Sequence, residues 1–173
     1  AANEKIHQNI SAIEFLSQKL LDFITMEASE NIYRKIASDI KNLVFEGSII
    51  TINSFNTKTG IVTVEAAMMS NQQRDTIIRL MGIDLVGSGF LIDEAGLAGF
   101  RTGRLHKLDF PLYEILFKAV PEKICKHLES ELDIGNTYAI GFVQGDEVLG
   151  SATIFIQHGK TVDNLSLLEG NRG

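Results

Sequence analysis

Apolar residues recur at spacings of three and four along the first segment of the chain, from Glu4 to Met26. The stripe is Ile6, Ile10, Ile13, Leu16, Leu20, Phe23 and Ile24, with Glu14, Gln18 and Asp22 between them. That period predicts an amphipathic helix. It suits a two-helix seam of about three heptads, and it equally suits packing on the chain's own sheet. Ser29 is then placed to N-cap a second helix carrying Ile32, Ile36, Ile40, Leu43 and Val44, with Gly47 as its stop.

From Ser48 the period changes to two. Ile50, Ile52 and Ser54 fall on one face, and Ile49, Thr51, Asn53 and Phe55 on the other. Asn56 to Gly60 is a turn, and Ile61, Val62, Thr63, Val64 and Ala66 return as the second strand of a hairpin. Asn71 to Met81 reads as a helix ended by Gly82. Val86 to Ile92 is a glycine-bearing loop entering a short strand, and Asp93 is expected to cap a helix closed by Gly103. Leu105 to Phe110 is a brief extended segment, followed by the apolar run Pro111 to Val120. Pro121 opens a helix over Glu122 to Leu132. A long hairpin, Thr137–Gln144 and Val148–Gln157, closes the pattern, and Leu165 and Leu168 begin a further helix. Helices segregated on an antiparallel sheet define an α+β domain.

Composition narrows the function. The 173 residues suit one domain, and the net charge of −6, with no cluster of lysines and arginines, argues against nucleic acid. No apolar run reaches the ~20 residues that span a bilayer. The N-terminus lacks the pattern of a signal peptide, and the single cysteine, Cys125, fits a reducing compartment. A cytoplasmic domain with no direct membrane contact is expected.

Chemistry-bearing motifs are few. Gly87-Ser88-Gly89 is followed by neither the third glycine of a dinucleotide fingerprint nor a Gly-Lys-Ser/Thr. Cys125 and His127, two apart on a helix, point about 200° from each other and cannot easily share a metal. There is no GxSxG, HExxH or kinase signature, so the domain itself is expected to be non-catalytic. The alternative of a small enzyme using Cys125 would require a thiol of depressed pKa with a histidine in reach. The one site-like feature is an apolar middle third. Phe90, Phe100, Phe110, Tyr113, Leu116 and Phe117, with Cys125 nearby and Met68, Met69 and Met81 beside them, are candidates to line a ligand pocket.

Three stretches carry a resemblance: the hairpin Ser48–Ala66, Val86-Gly-Ser-Gly-Phe-Leu-Ile-Asp93, and Tyr138-Ala-Ile-Gly-Phe-Val-Gln-Gly-Asp-Glu-Val-Leu-Gly-Ser-Ala-Thr-Ile154. Together they are similar to GAF domains, and the whole resembles the GAF modules of archaeal multidomain sensor histidine kinases, which often accompany PAS modules. The resemblance implies a central antiparallel sheet of about six strands. N- and C-terminal helices would pack on one face, and helices and loops would cover a pocket on the other. It implies a signalling and dimerisation helix over residues 1–28, a sensory domain over 29–168 and a truncated helix over 169–173. It further implies an unknown small-molecule ligand, a homodimer through the N-terminal helix, and adjacent PAS or kinase domains in a parent chain. A structural dimerisation module without ligand is the alternative. A PAS domain fits the two long N-terminal helices and the extended middle region less well. Cyclic-nucleotide binders of the family carry an NKxnFxxxDE motif that this chain lacks. Bilin-attaching cysteines are usually followed by histidine, whereas Cys125 is followed by Lys126. Haem stays open, with His106, Cys125 or His127 as conceivable ligands.

Overall fold

The computed structural model describes residues 10–16, 18, 30–44 and 46–159. The Ser29 cap, the C-terminal helix beyond Leu165 and most of the expected N-terminal helix lie outside them. Residues 10–16 are helical (α1), and α2 spans Glu30–Lys41. Then follow β1 (Ile49–Asn56), β2 (Ile61–Met68), α3 (Asn71–Met81), β3 (Gly89–Leu91), α4 (Glu94–Ala98) and β4 (His106–Leu108). The chain continues with α5 (Leu112–Ile115), α6 (Glu122–Glu131), β5 (Ile134–Gln144) and β6 (Glu147–Gln157). The six strands form one antiparallel sheet in the order β3-β2-β1-β6-β5-β4. This is the α+β architecture expected from the sequence.

Period-two alternation sends successive strand residues to opposite faces. Ile50 and Ile52 of β1, Ile140 and Phe142 of β5, and Ala152, Ile154 and Ile156 of β6 pack with Ile13 of α1 and with Tyr33, Ile36, Ala37 and Ile40 of α2. Ile13 is fully buried there, so this part of the N-terminal helix lies on the domain's own sheet. A second cluster covers part of the other face. In it Ile49, Val64 and Phe155 meet Ile77 of α3, Leu112 of α5, and Cys125 and Leu128 of α6.

Bulges set which face each residue takes. The β1–β2 register steps from Ile52↔Ala66 to Asn53↔Val64, leaving Glu65 without an opposite partner. An extra residue re-aims the strand. Ala66 therefore packs under α2, whereas Val64, of the same parity, points to the opposite face.

Two helix ends differ from expectation. α2 stops at Lys41, well before Gly47, because Leu43 and Val44 donate to carbonyls three residues back and tighten the final turn. Gly47 instead takes a positive φ of 91° in the turn into β1. Asp93 does cap α4, accepting from Gly96 N at 2.8 Å, but that helix closes at Gly99 rather than Gly103. Phe100 and Arg101 again bond three residues back, to Leu97 and Ala98. No helix of the described residues is long and apolar enough to cross a membrane.

Candidate functional site

A cavity of about 1100 Å³ lies on the sheet face opposite α1 and α2. Its floor is polar. Thr51 and Asn53 of β1 stand opposite Thr153 and Ser151 of β6, and all four are buried, at 4, 6, 7 and 5% exposure. Asn53 Nδ2 donates to Ser151 Oγ at 3.1 Å and reaches Thr153 Oγ1 at 3.5 Å. The walls are apolar: Val62, Val64, Phe90 and Phe155 rise around that floor. The cover comes from the segments on either side of α4 and the turn after α5, through Ile92, Phe100, Leu116 and Phe117. Charge is confined to exposed positions at the rim, where Lys58, Asp93, Lys107, Asp109, Glu114 and Lys118 stand. Lys107 Nζ lies 3.5 Å from Asp109 Oδ1.

Local backbone choices hold this cover in place. Gly141 of β5 lets the loop carrying Phe100 lie directly on the sheet, because a Cβ at position 141 would collide with the Phe100 carbonyl. At the end of α5, Phe117 and Lys118 both take left-handed conformations, with φ of 57° and 60°. Lys118 N donates to Tyr113 O at 2.8 Å across that turn. Leu112 N donates to Glu129 Oε2 at 3.4 Å, which ties α5 to α6.

The structure brings Phe90, Phe100, Phe110, Leu116 and Phe117 to the cavity, with Phe110 half exposed at its mouth. Tyr113 and Cys125 are a correction, for neither borders it. Tyr113 packs against the cluster under α3 and α6, which Leu116 and Phe117 also touch while lining the cavity. Cys125 is fully buried in that cluster, with Sγ 3.6 Å from Val120 O. Burial, then the Glu129 and Glu122 carboxylates, push its thiol pKa above the ordinary range. Met68 packs toward α2, and Met69 and Met81 pack in the α3–α6 cluster. Of the three histidine and cysteine positions considered for haem, only His106 borders the cavity; its Nδ1 lies 3.0 Å from Arg104 O. His127 is exposed on α6. Among the described residues no group of three His, Cys, Asp or Glu side chains is placed to hold a metal.

The sequence pattern alone does not mark Thr51, Asn53, Ser151 and Thr153 as one site. The signal was present, as polar residues at alternate positions inside two otherwise apolar strands. What was missing was the pairing that sets the two polar segments side by side.

No protein-family model matches the chain, and no curated protein matches it. Solved structures do. The phycocyanobilin-bound GAF domain from a cyanobacterial phytochrome superposes with a TM-score of 0.52 over 92% of this chain and 94% of that one, at 12% identity. A phycoerythrobilin-bound GAF domain, also from a cyanobacterial phytochrome, gives 0.51 over 99% and 90%, at 13% identity. The chain has the GAF fold. At such identities the likeness is one of fold. Within the GAF fold, the cavity occupies the sheet face that the resemblance in the sequence had assigned to a pocket.

Proposed function

We propose that this GAF-fold chain is a sensory domain of a signal-transduction protein that holds a small ligand in the cavity and passes its state to the helices behind the sheet. The floor carries this reading. Four buried polar side chains open onto an apolar-walled cavity of about 1100 Å³. Buried hydroxyl and amide groups cost stability unless something bonds them, and small-molecule sites run to roughly 300–1000 Å³. A structural module with a filled core needs neither feature.

The sheet itself is the relay. Thr51 and Asn53 alternate with Ile50 and Ile52, and Ser151 and Thr153 with Ala152 and Ile154, so each ligand-facing residue adjoins one packed in the cluster under α1 and α2. A ligand that binds one packing of sheet and helices better than another shifts the balance between them.

The two GAF-fold structures compared above carry bilins. No cysteine borders the cavity here, so its residues do not fit a thioether-linked bilin. Among the described residues, haem would find only His106 at the cavity. The buried, high-pKa thiol of Cys125 supports a non-catalytic domain. The parent is read as a cytoplasmic sensor histidine kinase with neighbouring PAS or kinase domains. It is read as homodimeric through the N-terminal helix, where Phe15 is exposed on the side opposite buried Ile13.

Native mass spectrometry with an absorbance spectrum, on protein as purified and after haem addition, tests this. An adduct lost on denaturation is the expected result, and a Soret band abolished by His106→Ala would make the ligand haem. A bare chain mass in both preparations overturns ligand binding and favours the dimerisation module.

A further inference from the structure

We propose that the cavity takes, without a covalent bond, a planar ring system whose deep edge presents an adjacent N–H and C=O, as a lactam or a pyrimidinedione does. The inference rests on the ligand-binding reading above and adds the chemistry of the ligand's buried end.

The hydrogen-bonding pattern of the floor sets that chemistry. Ser151 Oγ and Thr153 Oγ1 accept from Asn53 Nδ2, so the hydroxyl hydrogens of both remain to donate. Asn53 Oδ1 and the Thr51 hydroxyl have no hydrogen-bond partner among the described residues. They are not sealed off either, since the only fully buried side-chain N or O atom without a partner among those residues is Ser48 Oγ. Donors and an acceptor thus stand side by side on paired strands, at residues that face the cavity. A ligand edge that offers one acceptor beside one donor satisfies both.

Charge excludes the common alternatives at this depth. The floor carries no ionisable side chain, and the lysines and carboxylates of the cavity are exposed at its rim. A buried phosphate, carboxylate or ammonium would have no counter-charge there, and burying an unpaired charge is far costlier than burying an amide. Any charged substituent must therefore sit at the mouth. The buried rings of Phe90 and Phe155, with Val62 and Val64, supply apolar walls for a flat body.

The test compares two tricyclic probes by isothermal titration. Lumichrome ends in a pyrimidinedione, whereas phenazine has a similar outline and lacks the N–H and C=O edge. Lumichrome should bind at least about tenfold more tightly, the worth of one to two net hydrogen bonds. Asn53→Leu should remove that preference and leave phenazine unchanged. Because Asn53 lies in a central strand, Thr51→Val and Ser151→Ala serve as milder variants, each lowering lumichrome affinity roughly threefold to tenfold, with folding checked by circular dichroism. Equal affinity for the two probes overturns the polar-edge inference and leaves ligand binding standing. So does a lumichrome preference that none of the floor variants alters. Binding of neither probe overturns the inference about the ligand's edge, and the sensory reading then stands or falls on the native mass spectrum.

Discussion

At the scale of the residue, Gly141 and Gly82 show two ways in which a missing Cβ matters. Gly82 takes a φ of 77° with open space around it, so a side chain there would meet only backbone strain. Gly141 has ordinary strand geometry, but a Cβ would meet the Phe100 backbone. Gly141→Ala should destabilise the fold by about 1–3 kcal/mol, and amide exchange should quicken first around Phe100 as the cavity's cover lifts. Urea unfolding with hydrogen exchange measures both, and unchanged protection of that loop would contradict the contact. A glycine inside a strand does signal a close approach. Which segment approaches is not written beside it, since Phe100 and Gly141 are distant in the chain. Asn53 follows the same logic. Its polarity inside an apolar strand is visible at once, but its partners Ser151 and Thr153 arrive only when β6 pairs with β1.

Elements were legible to the degree that local interactions define them. α3 runs from Asn71 to Met81 and ends at left-handed Gly82, as its periodicity and that glycine predict. Its start is a capping box: Ser70 Oγ accepts from Gln73 N at 3.1 Å, and Gln73 Oε1 accepts from Ser70 N at 2.9 Å. Gln73 Nε2 also donates to Gly47 O at 2.7 Å, tying the helix to the turn before β1. Ser70→Ala should therefore cost about 1 kcal/mol, and Gln73→Ala more, because it loses that tie as well; equal losses in urea melts would deny the tie a role. The short α4 and α5 were harder to bound. An element of one or two turns has too few periodic positions to mark its end, and bonds to carbonyls three residues back closed α4 before the expected glycine.

At the scale of the whole molecule, stability depends on keeping buried acids protonated. Burial pushes the pKa of Cys125 upward, and that of Tyr33 too, where the Glu65 carboxylate adds to it. Each group's contribution is full below its unfolded pKa and is lost as pH rises toward the raised folded value. Unfolding free energy should thus fall as pH rises above about 8.5, where a free thiol ionises and Cys125 does not, and further above about 10 through Tyr33. Cys125→Ala should flatten that decline, and native protein should resist iodoacetamide until unfolded; rapid alkylation of the folded chain would contradict the burial. The chain's own pattern determined the hairpins, the helices α3 and α6 and the α+β class, because periodicity and turn residues act over a few neighbours. Only tertiary structure decided the cavity. Its floor joins β1 to β6 across about a hundred residues, a bulge at Glu65 chooses which face Val64 takes, and the packing of α5 on α6 leaves Phe117 at the cavity and Tyr113 away from it. Such pairings are settled by which strands meet and in what register, and no local pattern contains that information.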